Sequence, residues 1–162
     1  MKFSSKYLPP FLSLSSAIAL LSIAYFLEFF LNLIPCDLCV QQRGIHYLII
    51  LFSIICLISI SFKKINKLLN FLIIILWFTS SVFAFYHFGI EKKFWSGFSS
   101  CTSKINFNED TLNNILSTDT LRCDNPQFEI LNISLAGWNG LVSLILFTIY
   151  ISLLYLFKKR KQ

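Results

Sequence analysis

The chain has 162 residues, of which 56% are hydrophobic and 14% charged, with 18 phenylalanines and a formal net charge of +6. Ordinary soluble domains are about 45–50% apolar and about 25% charged, so this chain lacks the polar surface to cover a water-soluble fold of its size. Its basic residues cluster at the ends of apolar runs instead of forming one cationic face, which excludes a nucleic-acid-binding surface.

Four apolar runs follow one another, each long enough to cross a bilayer as a helix of about 18 or more residues. The first covers 11–34, interrupted only by Glu28 and Asn32, and the second covers 45–62. The third covers 68–88 and the fourth 138–157, where Lys158, Lys159, Arg160 and Lys161 stop it. This pattern predicts an all-α fold, an integral membrane four-helix bundle forming one domain over 1–162, joined on one side by loops at about 35–44 and 89–137. The first run is longer than the roughly 7–15 apolar residues of a signal peptide, and no clear small-residue cleavage site follows, so a retained anchor is expected.

Short loops rich in Lys and Arg stay cytoplasmic. Lys2 and Lys6, then Lys63, Lys64 and Lys67, then the basic tail therefore place both termini and the middle loop inside. Apart from Glu28, every acidic residue lies in the other two loops: Asp37, Glu91, Glu109, Asp110, Asp119, Asp124 and Glu129. Those loops are expected to face outward.

Each outward loop carries a pair of cysteines, Cys36 with Cys39 and Cys101 with Cys123, while Cys56 lies within a run as a small apolar residue. The outer side of a membrane is where disulfides persist. Four cysteines allow three pairings; because Cys36 and Cys39 are already close in sequence, Cys101 and Cys123 are left as the natural second bridge. As a simple staple that second bridge is worth roughly 3 kcal/mol in the chain-entropy model. A bridge across two residues removes little chain entropy and is more typical of redox motifs. Zinc is not expected, because Cys101 and Cys123 are too widely spaced for a ligand pair and no histidine lies beside them.

Arg43 follows Cys39 by one helical turn, and a cation there favours the thiolate, the form that attacks. Asp37 acts in the opposite direction. The first loop is too short to carry its cysteines far from the bilayer, which suits a lipid-soluble electron carrier. The second is long and polar, which suits a soluble protein partner.

At these residues the sequence resembles the DsbB-type disulfide bond formation proteins of the bacterial inner membrane. The matching features are Cys36-Asp37-Leu38-Cys39-Val40-Gln41-Gln42-Arg43, YHFGIE at 86–91, Cys101-Thr102, Cys123-Asp124 and ISLAGWNG at 133–140, in the right order over most of the chain. The resemblance implies a quinone-dependent protein-dithiol oxidoreductase with its cysteines facing the periplasm. Cys101 would be attacked by a reduced DsbA-type periplasmic thiol oxidase, and Cys123 would be its bridge partner. Cys36 would then attack to reoxidise that pair by thiol–disulfide exchange. Cys39 would meet the ring of ubiquinone or menaquinone, with Arg43 and His87 helping to bind it. Two alternatives remain: a membrane scaffold with two structural disulfides, and a thiol oxidoreductase of the vitamin K epoxide reductase type.

Other residues carry less. His87 meets either quinone or lipid headgroups, Glu91 is expected to pair with Lys92 or Lys93 as a solvated loop charge, and Glu28 has no nameable partner. Phe94, Trp95 and Phe98 read as an interfacial anchor. Asp110 ahead of Leu112, Ile115 and Leu116 reads as the cap of a short surface helix.

Overall fold

A computed structural model describes residues 6–97 and 123–159; Cys101, Phe98 and the 110–116 segment lie outside the described residues. Among the described residues four helices follow in order: α1 Leu8–Leu31, α2 Asp37–Ile58, α3 Lys63–Glu91 and α4 Leu135–Lys159. All four are long and apolar enough to cross a membrane. A minimal antiparallel hairpin, β1 Glu129–Ile130 and β2 Ile133–Ser134, leads into α4.

Local chemistry sets the helix ends. Pro9 and Pro10 lie in the first turn of α1, where a missing N–H costs nothing. Asn32 ends the helix in the left-handed conformation (φ 51°), which asparagine tolerates well. Only Asn32 to Cys36 separates α1 from α2, so the first cysteine loop is shorter than the sequence suggests. Polar residues Asp37, Gln41, Gln42 and Arg43, which end the apolar run, are the first turns of α2. Hydropathy marks what lies in lipid, and hydrogen bonding carries the helix further.

The helices pack in a ring: α3 against α2 and α4, and α1 against α2 and more lightly against α4. Ala17, Ile49, Cys56, Leu69, Ile73, Trp77 and Tyr150 form the bundle core. Large apolar side chains such as Phe29, Phe30 and Ile58 point outward, as the expected lipid-facing surface requires. Phe85 lies against Gly140 and Phe88 against Gly137, so α3 approaches α4 where a larger residue would not fit easily.

With apolar surface on both sides of each helix, polar side chains supply directional contacts. Ser13 accepts bonds from Ser53 (3.2 Å) and Trp77 Nε1 (2.8 Å), tying three helices. Farther from the cysteines, Tyr150 donates to Asn70 Oδ1 (2.7 Å), and Asn66 and Asn70 turn their amides toward Cys56 Sγ (3.2 and 3.4 Å). Cys56 is thus a buried core residue, as expected.

Candidate functional site

Cys36 precedes the first residue of α2 in an extended conformation, and its carbonyl accepts from Val40 N–H (3.1 Å). Cys39 sits in the first helical turn. The Cys36 thiol donates to the Cys39 sulfur across 3.3 Å. That bond, reinforced by burial, pushes the Cys36 thiol up to about 12, against the opposing pull of His87.

His87, on the last turns of α3, is 1% exposed. Its Nε2 lies 3.5 Å from the Cys36 sulfur and 3.6 Å from Glu91 Oε1, and its Nδ1 is 3.0 Å from Gln42 Nε2. His87 is thus buried against the cysteine pair. The chain of bonds continues inward: Gln42 Oε1 accepts from Asn139 Nδ2 (2.9 Å), and Asn139 Oδ1 is 3.0 Å from His46 Nε2.

Glu91 corrects the sequence expectation. It does not pair with Lys92 or Lys93 as a solvated charge; it turns inward toward His87 and accepts the hydroxyl of Ser134. Lys92 reaches Glu129 instead, at 2.9 Å. Ser134 also accepts the Gly137 N–H (3.2 Å), capping α4. The geometry explains the difference, since Glu91 is one turn beyond His87 and shares its face.

Arg43 projects from α2 onto α1, where it pairs with Glu28 and lies over the Tyr25 ring at 4.7 Å. Glu28 therefore has a partner that sequence reading did not supply. A carboxylate inside an apolar run calls for a cation, and the first arginine of the next helix was the available signal.

Cys123 is buried in one cluster with Cys36, Leu38 and Ile90. Gln127 holds the segment after it by donating to the Ile34 carbonyl (3.0 Å). The second loop thus returns a cysteine to the first pair. Trp95, from the expected aromatic anchor, folds back to stack on Tyr86 and donates to the Tyr86 carbonyl (3.0 Å), while Phe94 stays exposed.

These groups surround a cavity of about 340 Å³. Cys36, Cys39, Arg43, His87 and Cys123 all line it, so the structure gathers every described candidate for the cysteine relay and the quinone contact. It adds Glu28, Gln42, His46 and Asn139, to which sequence reading gave no role, and Glu91, expected there as a loop charge. Leu20, Leu21, Ala24, Leu27 and Val142 supply apolar wall. Size and lining match the usual small-molecule site, mostly apolar with a few convergent polar groups.

Comparison with known proteins agrees with this geometry. An uncharacterised protein of Rickettsia prowazekii (strain Madrid E) is 28% identical over 151 residues, covering 90% of this chain and 86% of its own length. The family described as disulfide bond formation protein DsbB matches residues 8–153. Four membrane-compatible helices, a dithiol set beside an apolar cavity and that match together place the chain in the DsbB family, membrane proteins of disulfide bond formation.

Proposed function

We propose that the protein reoxidises a DsbA-type periplasmic thiol oxidase and passes the electrons to membrane quinone, ubiquinone or menaquinone, from a bacterial inner membrane with its cysteines on the periplasmic face. The observation that carries this reading is the cavity itself, where Cys39, Arg43 and His87 meet an apolar wall. A quinone head group fits these residues. Its ring suits the leucines of α1, its oxygens suit the nitrogen donors of Arg43, and His87 stands beside Cys36 in the same wall. When bound, the quinone supplies an acceptor for two electrons and two protons.

The chain's own residues do the rest. A reduced partner attacks Cys101 of a Cys101–Cys123 disulfide, forming a mixed disulfide and releasing Cys123 as a thiolate. Cys123, packed in one cluster with Cys36, attacks the Cys36–Cys39 disulfide; Cys36 is thus the sulfur attacked and not the attacker expected from sequence, because a thiolate that attacks a disulfide is the one oxidised. The Cys123–Cys36 bond forms as the Cys36–Cys39 bond breaks, and Cys39 is released as a thiolate facing the cavity. The partner's second thiol then frees Cys101, and Cys101 displaces Cys36 to restore the outer disulfide. Arg43, held by Glu28 and Tyr25, lines the same cavity and supplies a cation for this charge. His87 orients Cys36 through Nε2.

The test is quinone reduction by the purified protein, followed by absorbance with a reduced DsbA-type donor. Turnover is expected with ubiquinone or menaquinone and lost in Cys39→Ser and Cys101→Ser. Folded wild-type protein that turns over with neither quinone would leave two structural disulfides as the better reading.

A further inference from the structure

The hydrogen-bond chain between the two buried histidines has a direction. Asn139 donates through Nδ2 to Gln42, so its Oδ1 is the acceptor that faces His46 Nε2. Gln42 in turn donates through Nε2 to His87 Nδ1, so His87 carries its hydrogen on Nε2, toward the Cys36 sulfur. Every donor points toward the cysteines. His46 begins the chain, and a neutral imidazole that donates through Nε2 keeps a lone pair on Nδ1.

That Nδ1 is the one buried side-chain nitrogen or oxygen among the described residues that has no partner. His46 is 4% exposed and lines the cavity. It follows Cys39 by two helical turns on the same face of α2, about 10 Å deeper along the axis. Buried polar atoms in folded proteins are nearly always paired, so this acceptor, closed to water on a residue of the cavity wall, calls for a donor.

We propose that His46 is the inner ring contact, its Nδ1 accepting a hydroxyl of the reduced quinol, so that the cavity holds quinol more tightly than quinone. The proposal rests on the quinone reading above and adds to it a residue and a preference. A quinone oxygen only accepts and gains nothing from the lone pair; a quinol hydroxyl donates to it. Holding the reduced ring more tightly favours electron flow out of the cysteines, and Asn139 and Gln42 fix the imidazole in the orientation that does so.

Isothermal titration of the full-length protein in detergent tests this, with Cys36→Ser, Cys101→Ser and Cys123→Ser leaving Cys39 in place but without a disulfide partner, so that electron transfer is blocked, and with short-chain ubiquinone and its quinol as probes. Glutamine places its amide near the position of Nε2 and asparagine near that of Nδ1, so the two substitutions separate the Asn139 bond from the ligand contact. His46→Gln is expected to weaken quinol binding roughly three- to ten-fold and leave quinone binding within about twofold. His46→Asn is expected to keep the preference for quinol. Equal weakening of both forms by His46→Gln, or none, overturns the His46 contact while leaving the quinone reading intact. Failure of the protein with native His46 to bind either form overturns both.

Discussion

The two halves of the bundle use the same kinds of side chain for different ends. Away from the paired cysteines, Ser13, Ser53 and Trp77 bond to one another, and so do Asn66, Asn70 and Tyr150, within the packed core. At the cysteine end Gln42, His46, His87 and Asn139 also form a bonded chain, but it runs along a cavity and ends on an unpaired nitrogen. A polar network closed on itself fastens helices in an apolar solvent; one left open at a cavity binds and reacts. Substitutions in the first are expected to change stability and in the second to change chemistry.

The largest expected effect is on Cys36. Its thiol is raised from 9.0 to about 12, first by donating to Cys39 and then by burial. The folded state therefore favours the protonated form: this contribution to stability is full below pH 9 and is lost as the pH rises toward 12. In the reduced protein, alkylation of Cys36 at neutral pH is expected to be about 10³-fold slower than that of an ordinary thiol, and to keep rising with pH beyond 9. Cys39→Ala removes the first cause and is expected to speed that alkylation. Rates of iodoacetamide labelling at Cys36, read by mass spectrometry, check both; an ordinary titration near 9 in wild type would mean that the cysteine end imposes no chemistry of its own.

Arg43 comes next. Arg43→Gln removes the cation at the cavity while keeping a polar side chain, and thiol-to-quinone turnover is expected to fall about 10²-fold. Glu28→Gln leaves the cation and loosens its support, so a smaller loss of turnover is expected. Equal melting temperatures for the two variants and wild type, with turnover ordered this way, would sharpen the division between the halves. A large drop in melting temperature would place the Arg43–Glu28 pair with the structural fasteners instead.

Sequence reading reached the four helices and the residues Cys36, Cys39, Arg43, His87 and Cys123 because hydropathy and short motifs are local signals. It missed what depends on contacts between helices. Glu28 and Arg43 lie on different helices, and only the α1–α2 packing joins them. Glu91 looked like a loop charge because Lys92 and Lys93 are its neighbours in sequence, whereas helix α3 continues through it and turns it toward His87. His46 sits just inside an apolar run, three residues past the quoted motif, and its bonding partner Asn139 is far away in the chain.

The smallest effect belongs to the closed network. Ser13 accepts two bonds, and Ser13→Ala leaves the Trp77 N–H and the Ser53 hydroxyl to find other partners inside the bundle. A buried donor left unsatisfied costs about 1–3 kcal/mol, although helix interfaces in membranes recover part of such losses through alternative bonds. The expected result is a lower melting temperature in detergent with turnover unchanged at temperatures where the protein stays folded. Trp77→Phe combined with Ser13→Ala removes donor and acceptor together and is expected to cost less than the two single changes summed, because the orphaned N–H is gone. If Ser13→Ala instead lowered turnover in folded protein, the far half would be coupled to the cavity, and the separation between fastening and chemistry would fail at the point where Ser13 ties α1 to α2 and α3.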